Sequence, residues 1–189
     1  MFLRNYDNYM AAANLTDSLT ANSGGTNNST AVFGDGYYNQ KAASGTITTI
    51  YFCDGSAQLH GPITLSIKGI CLGTGGAAVS YEDYRLSGDV VPNKLVEVSK
   101  STTYDATTHK FKKTLVATYT NSGSTDITIS EWGLWRHNNE SGGGTLVFDH
   151  ASNQATLTYR AVLSKPIVIE AGTTATLTFS IDVPMPNHP

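Results

Sequence analysis

The chain has 189 residues, enough for one well-buried domain with an appendage rather than two cores. Charged residues make up only 14% of it, against about a quarter in ordinary globular chains. Its net charge of −3 provides no basic stripe for nucleic acid. Threonine, serine, asparagine and glycine dominate instead. Threonine favours strands and glycine and asparagine favour turns, so the bias points to β structure with a neutral, polar surface suited to packing against partners.

The opening MFLRNYDNYM has no uninterrupted apolar run of the kind a signal peptide carries, and no stretch reaches bilayer-spanning length. The expectation is a protein made and kept in a cytoplasm, without a membrane partner. Residues 4–13 place Tyr6, Tyr9, Met10 and Ala13 at helical spacing with Asn5 or Asp7 as a cap, and a short helix and a fraying terminus both fit this stretch. Up to residue 45 the chain is Ser/Thr/Asn/Gly-rich and cannot build its own core. Tyr6, Tyr9, Phe33, Tyr37 and Tyr38 read as anchors of this arm on a neighbouring surface. The organisation expected is an arm over 1–45 and a β domain over 46–189.

From Thr46 strand periodicity begins. Residues 46–53 are β-branched and aromatic, and Ile63, Leu65, Ile67 and Gly69 alternate with polar positions as a half-buried strand. Gly73, Gly75 and Ala78 satisfy the G-x-G-x-x-G/A dinucleotide fingerprint. That fingerprint requires a buried parallel strand and a long helix, and neither fits the alternation before it or the short space after it. Ser80 and Asp83 form a capping box for a single helical turn. Strands follow at 95–101 and 110–121, the second with Leu115, Ala117 and Tyr119 on one face. Lys110, Lys112 and Lys113 read as a solvated edge. Asn121–Ser124 is a tight turn into TDITISEWGLWRH, the stretch with both tryptophans. There Ile127 and Ile129 share a face, and Trp132 and Leu134 resume the alternation one residue late, as at a β-bulge. Trp132 belongs to the core; Trp135 stays open between packing and partner contact. Leu146 and Phe148 read as a short strand. Leu157, Tyr159, Ala161 and Leu163 then alternate against Thr158, Arg160 and Val162, Pro166 interrupts the ladder, and 174–183 has strict period two. About eight strands with almost no helix make an all-β fold, a single antiparallel sandwich of immunoglobulin-like or jelly-roll type.

No catalytic signature accompanies this. The histidines lack metal spacing, Cys53 and Cys71 make neither a metal motif nor a disulfide framework, and no nucleophile elbow is present. Asn14, Asn28 and Asn139 sit in sequons that the composition alone explains. Glu131 is expected to bond the backbone at the bulge or to pair with Arg136 or Arg160. An enzyme, a cofactor and a metal are not expected, and a polysaccharide depolymerase would need a second carboxylate opposite Glu131.

Three blocks, IKGICLGTGGAAVSYEDYRL (67–86), TNSGSTDITISEWGLW (120–135) and YRAVLSKPIVIEAGTTATLTFSI (159–181), together resemble small virion proteins of tailed bacteriophages that carry an immunoglobulin-like or jelly-roll sandwich. The resemblance rests on the Gly-Thr-Gly loop and D-Y-x-L turn, on Thr128, Glu131, Gly133 and Leu134, and on Arg160, Leu163, Pro166, Ile167, Ile169, Ala171, Gly172 and Thr174. It implies a virion structural component of the head decoration, head fibre or tail and collar class, a homo-oligomer made in the host cytoplasm and partnered by capsid, portal or tail proteins. The alternative is a fibre domain that binds a host-surface glycan or receptor, with Trp135, Tyr37 and Tyr38 stacking on sugars.

Overall fold

The computed structural model describes residues 1–3, 28–30, 40–41, 43–45, 47–48, 51–53, 65–137, 148, 150 and 155–184. The expected helix over 4–13 and the anchors Tyr6, Tyr9, Phe33, Tyr37 and Tyr38 lie outside these residues. The described residues are all-β and contain no helix. Their strands are β1 (Asn28–Thr30), β2 (Gln40–Lys41), β3 (Ile47–Thr48), β4 (Tyr51–Cys53), β5 (Ile70–Gly73), β6 (Val90–Val91), β7 (Leu95–Asp105), β8 (Lys110–Thr120), β9 (Ile127–His137), β10 (Ala155–Ile169) and β11 (Thr174–Pro184). Two antiparallel sheets carry the fold, one in the order β10-β9-β5-β6 and the other β11-β8-β7; β1–β4 and β2–β3 form separate pairs.

The period-two strands build the three-stranded sheet. β8 and β11 pair without interruption from Thr174↔Thr120 to Pro184↔Lys110. Leu115, Ala117, Tyr119, Leu177, Phe179 and Ile181 point inward, and threonines and serines point out. They meet Ile70, Leu72, Ile129, Trp132, Leu134 and Ile169 of the other sheet in one apolar core. Trp132 touches both layers, its ring centroid 5.1 Å from Tyr159 and 5.2 Å from Phe179. Each such buried side chain is worth about 1.5–3 kcal/mol relative to exposure, so this shared core is the main force holding the sheets together.

Several expectations change. The alternation at 65–69 is not a strand: the Gly69 amide donates to the Ser66 carbonyl at 3.0 Å and Ser66 Oγ at 3.2 Å, turning the chain before β5 begins at Ile70. β5 is buried at every residue, because the four-stranded sheet is covered on both faces. Its second face holds Cys71, Trp135, Ala155 and Leu157 under Leu3, Ala43, Leu86 and Phe148. Phe148 belongs to this cover and lies outside any strand. The β9 phase change is real, but the surplus residues are on β10: Leu163–Pro166 bulge out between Val162↔Glu131 and Ile167↔Ile129. Nor are the lysines on a sheet edge. β8 is the central strand, with Lys110 opposite Asp105 and Lys112 opposite Asp182. The edge strands are β11 and β7, and β7 carries a bulge between Glu97 and Ser99 and a Glu97–Lys100 ion pair, features that discourage strand-to-strand aggregation.

Asn121 makes the turn after β8 a corner between sheets. Its side chain is 1% exposed and donates to Thr125 O at 2.8 Å and Ile169 O at 2.9 Å. Its backbone donates to Thr173 O and accepts from Gly172 N. One residue thereby joins the β8–β9 and β10–β11 crossings.

Candidate functional site

On the outer face of the four-stranded sheet, β9 places Glu131 and β10 places Arg160 where the two strands are paired, Arg160 opposite Gly133 and Val162 opposite Glu131. Strand alternation aims both side chains away from the main core and under the segment 74–89. Glu131 is 0% exposed and Arg160 1%, and Arg160 Nε donates to Glu131 Oε2 at 2.6 Å. Arg160, one of the two arginines named as partners for Glu131, pairs with it; the side chain of Arg136 lies outside the described residues.

The carboxylate does more than pair. Glu131 Oε1 accepts from Gly75 N at 3.1 Å, Gly88 N at 2.8 Å and Ser87 Oγ at 3.1 Å, and Oε2 accepts from Ser87 N at 3.1 Å. The guanidinium is equally occupied. Arg160 Nη1 donates to Asp83 Oδ2 at 2.7 Å and to Ala78 O at 3.3 Å, and Nη2 donates to Ala77 O at 2.8 Å. Burial alone would lower the Arg160 pKa, but the bonds to Glu131 and Asp83 outweigh it and raise the pKa. A buried charge pair is tolerable only when its remaining donors and acceptors are met, and here both partners are fully engaged.

Local sequence explains how the segment reaches them. Ser80 N donates to Asp83 Oδ2 at 2.9 Å and Asp83 N donates to Ser80 O at 3.1 Å, so the capping-box residues close a turn without continuing into a helix. That turn presents Asp83 to Arg160. Gly75 and Gly88 approach so closely that a Cβ on either would collide with the backbone of the other, and only glycine allows both amides to reach one carboxylate oxygen. The dinucleotide-like spacing therefore has a structural cause: its amide donates to a protein carboxylate, and β5 pairs antiparallel to both neighbours.

Beside the network lies a cavity of about 370 Å³, lined by Asp83, Tyr84, Arg85, Asp89, His150 and Arg160 among others. Arg85 stacks over the Tyr84 ring at 5.5 Å, and the lining carries both signs of charge. His150 meets the Phe148 ring edge-on at 5.9 Å. Among the described residues no group of three His, Cys, Asp or Glu is placed to hold a metal ion. Cys71 is a free, buried thiol whose pKa burial pushes well up, with the Glu131 charge adding to the effect.

Of the partner-contact residues named from sequence, Trp135 alone is described. It is 9% exposed and packs against Phe148 at 5.8 Å. Sequence reasoning missed Asp83 as a partner of Arg160 and Gly75, Ser87 and Gly88 as partners of Glu131. The usable signal was a carboxylate standing where the alternation called for an apolar residue, with an arginine on a second strand of the same domain.

The chain matches no protein-family model, no curated protein and no solved structure.

Proposed function

We propose that this chain is a structural component of a tailed-bacteriophage virion, a capsid decoration, head-fibre or tail and collar protein built on an immunoglobulin-like or jelly-roll sandwich. The observation that carries the reading is the convergence of the three resembling blocks. Gly75 and Asp83 of the first, Glu131 of the second and Arg160 of the third meet in one buried network. Residues scattered along the chain thus belong to one structural device. Its charges are spent on holding the fold, which is the economy of a scaffold protein. The alternate crossing of the chain between the two sheets supports the sandwich assignment. The outer faces of β8 and β11, with Thr114, Thr118 and Thr120 beside Ser180, Thr176 and Thr174, give a neutral polar surface suited to packing among copies and other virion proteins.

In this reading the protein is made in the host cytoplasm and ends in the particle, as a homo-oligomer contacting capsid, portal or tail. The arm anchors Tyr6, Tyr9, Phe33, Tyr37 and Tyr38 serve those contacts. The glycan-binding alternative loses one support, because Trp135 turns its ring to Phe148 rather than to solvent. The test is density-gradient purification of particles from the producing culture, followed by quantitative mass spectrometry. The chain should co-purify with particles in a fixed copy ratio to the major capsid protein. Abundance in the lysate with absence from the particles would overturn the proposal.

A further inference from the structure

The walls of the cavity beside the Glu131–Arg160 network are fixed by bonds within the protein. Asp83 Oδ2 accepts from Ser80 N and Arg160 Nη1. Asp89 is held through its backbone, its N–H donating to Thr74 Oγ1 at 3.1 Å and its carbonyl accepting from Thr74 N at 3.1 Å. Arg85 lies over the Tyr84 ring at 5.5 Å. The polar groups so placed are not spent on the fold. Asp83 Oδ1, the Asp89 carboxylate and the Arg85 guanidinium make no hydrogen bond or ion pair among the described residues. Each guanidinium nitrogen of Arg160 is bonded, but the bonds to Glu131, Asp83, Ala78 and Ala77 use four of its five N–H groups. The remaining one is on Nη2, whose partner Ala77 lines the cavity together with Arg160. A donor on a side chain 1% exposed has the cavity as its route to an acceptor.

Size and charge select what fits. A volume of about 370 Å³ far exceeds the roughly 30 Å³ share of one water and lies at the lower end of small-molecule sites, roughly 300–1,000 Å³. The lining sets two aspartates, Asp83 and Asp89, against two arginines, Arg85 and Arg160. An anion would face the carboxylates and a cation the guanidinium groups, so neither is favoured. A neutral molecule that both donates and accepts suits all four, and a hydroxyl does both at once. Adjacent hydroxyls on one ring can therefore bond a carboxylate and a guanidinium together. We propose that the cavity between residues 77–85 and Asp89 binds one neutral sugar unit, whose hydroxyls donate to Asp83 and Asp89 and accept from Arg85 and Arg160. Walls already held by the Glu131 network leave little ordering to be done on binding. The inference goes beyond the assembly reading and does not depend on it.

The test is an NMR titration of the full-length, ¹⁵N-labelled protein. The probes are glucose, galactose, mannose, fucose and N-acetylglucosamine, each as the reducing sugar and as its methyl glycoside. At least one should shift the amides of residues 83–89 saturably, with a Kd on the order of 1 mM for a ligand this small. Binding of the methyl glycoside identifies a glycan terminus and binding of the reducing sugar alone a free sugar; either supports the site. Asp89→Ala and Arg85→Ala touch no bond of the Glu131 network and should each weaken binding about tenfold with the spectrum otherwise kept. Asp89→Asn, which preserves shape, replaces Asp89→Ala should that variant unfold. Glucuronic acid and glucosamine, the charged counterparts, should bind more weakly than the neutral sugars. Saturable shifts from none of the neutral sugars would overturn the proposal. So would binding that the Asp89 and Arg85 variants leave unchanged, or tighter binding of a charged counterpart. Each result is read on purified protein and is distinct from absence of the chain from particles.

Discussion

Replacing Glu131 by glutamine changes one oxygen to an amide nitrogen with almost no change of shape. Glu131 accepts five hydrogen bonds, from Gly75 N, Ser87 N, Ser87 Oγ, Gly88 N and Arg160 Nε. The amide has one acceptor end. With its oxygen toward Gly75 and Gly88, its NH₂ faces Ser87 N and Arg160 Nε; with the oxygen reversed, it faces Gly75 N and Gly88 N. Either rotamer leaves at least two donors facing a donor, each costing about 1–3 kcal/mol, and removes the charge opposite a guanidinium that is 1% exposed. Breaking a buried pair from one side costs about 3–5 kcal/mol, so that is the expected loss. At roughly 2–4 °C per kcal/mol for a domain of this size, Tm should fall by about 6–20 °C. Urea titration with linear extrapolation measures it, with m unchanged if the native compactness is kept. Asp83→Asn, whose carboxylate is 23% exposed, should cost less, about 1–2 kcal/mol, since water replaces part of what is lost. A Glu131→Gln loss below ~1 kcal/mol, or a larger loss for Asp83→Asn, would refute the claim that this network holds the segment 74–89 to the sheet.

Adjacent glycines should respond differently: Gly75→Ala drives a methyl into Gly88 and Ser87 and should cost about 1–3 kcal/mol. Gly76→Ala, whose methyl would meet nothing within 4 Å, should stay within about 0.5 kcal/mol of the parent in the same titration. Cys71, buried and with its thiol pKa raised, should stay unmodified by iodoacetamide in the native protein at pH 8 and react on unfolding; peptide mapping showing native alkylation would contradict its burial. In the β7–β8 turn, bonds from Thr108 Oγ1 and the Thr107 and Thr108 amides hold the Asp105 pKa below its ordinary value. A lowered folded-state pKa means the turn's stabilisation is complete above the unfolded value and lost as pH falls through the folded one. The Thr107 and Thr108 amide NMR shifts should therefore titrate below the ordinary aspartate range, and a midpoint at or above it would exclude this cap.

The strands β8 and β11 were readable because period two is local: when one face is buried and the other is wet, the inner set Leu115, Ala117 and Tyr119 declares itself in the sequence. β5 and the turn before it were misread for the complementary reason. Both faces of β5 are covered, so its residues carry no alternation, and an apparent alternation at 65–69 belonged to a turn closed by Ser66. Arg160 could be named as a partner of Glu131 because both stood at strand positions, whereas Asp83 could not, since no local pattern ties a turn to an arginine 77 residues away.

The stretch Thr125–His137 shows the division within a single element. Its composition and phase change determined a strand, a slip near Ser130, Trp132 in the core and Glu131 off the apolar face, because alternation and side-chain polarity act between neighbours along the chain. Tertiary structure decided that the surplus residues of the bulge lie across the ladder in Leu163–Pro166, that Trp135 is covered by Phe148, and that Glu131 gathers the backbone of Gly75, Ser87 and Gly88. Those outcomes depend on which distant segment arrives on the sheet, and a buried charge is stable only after it has arrived.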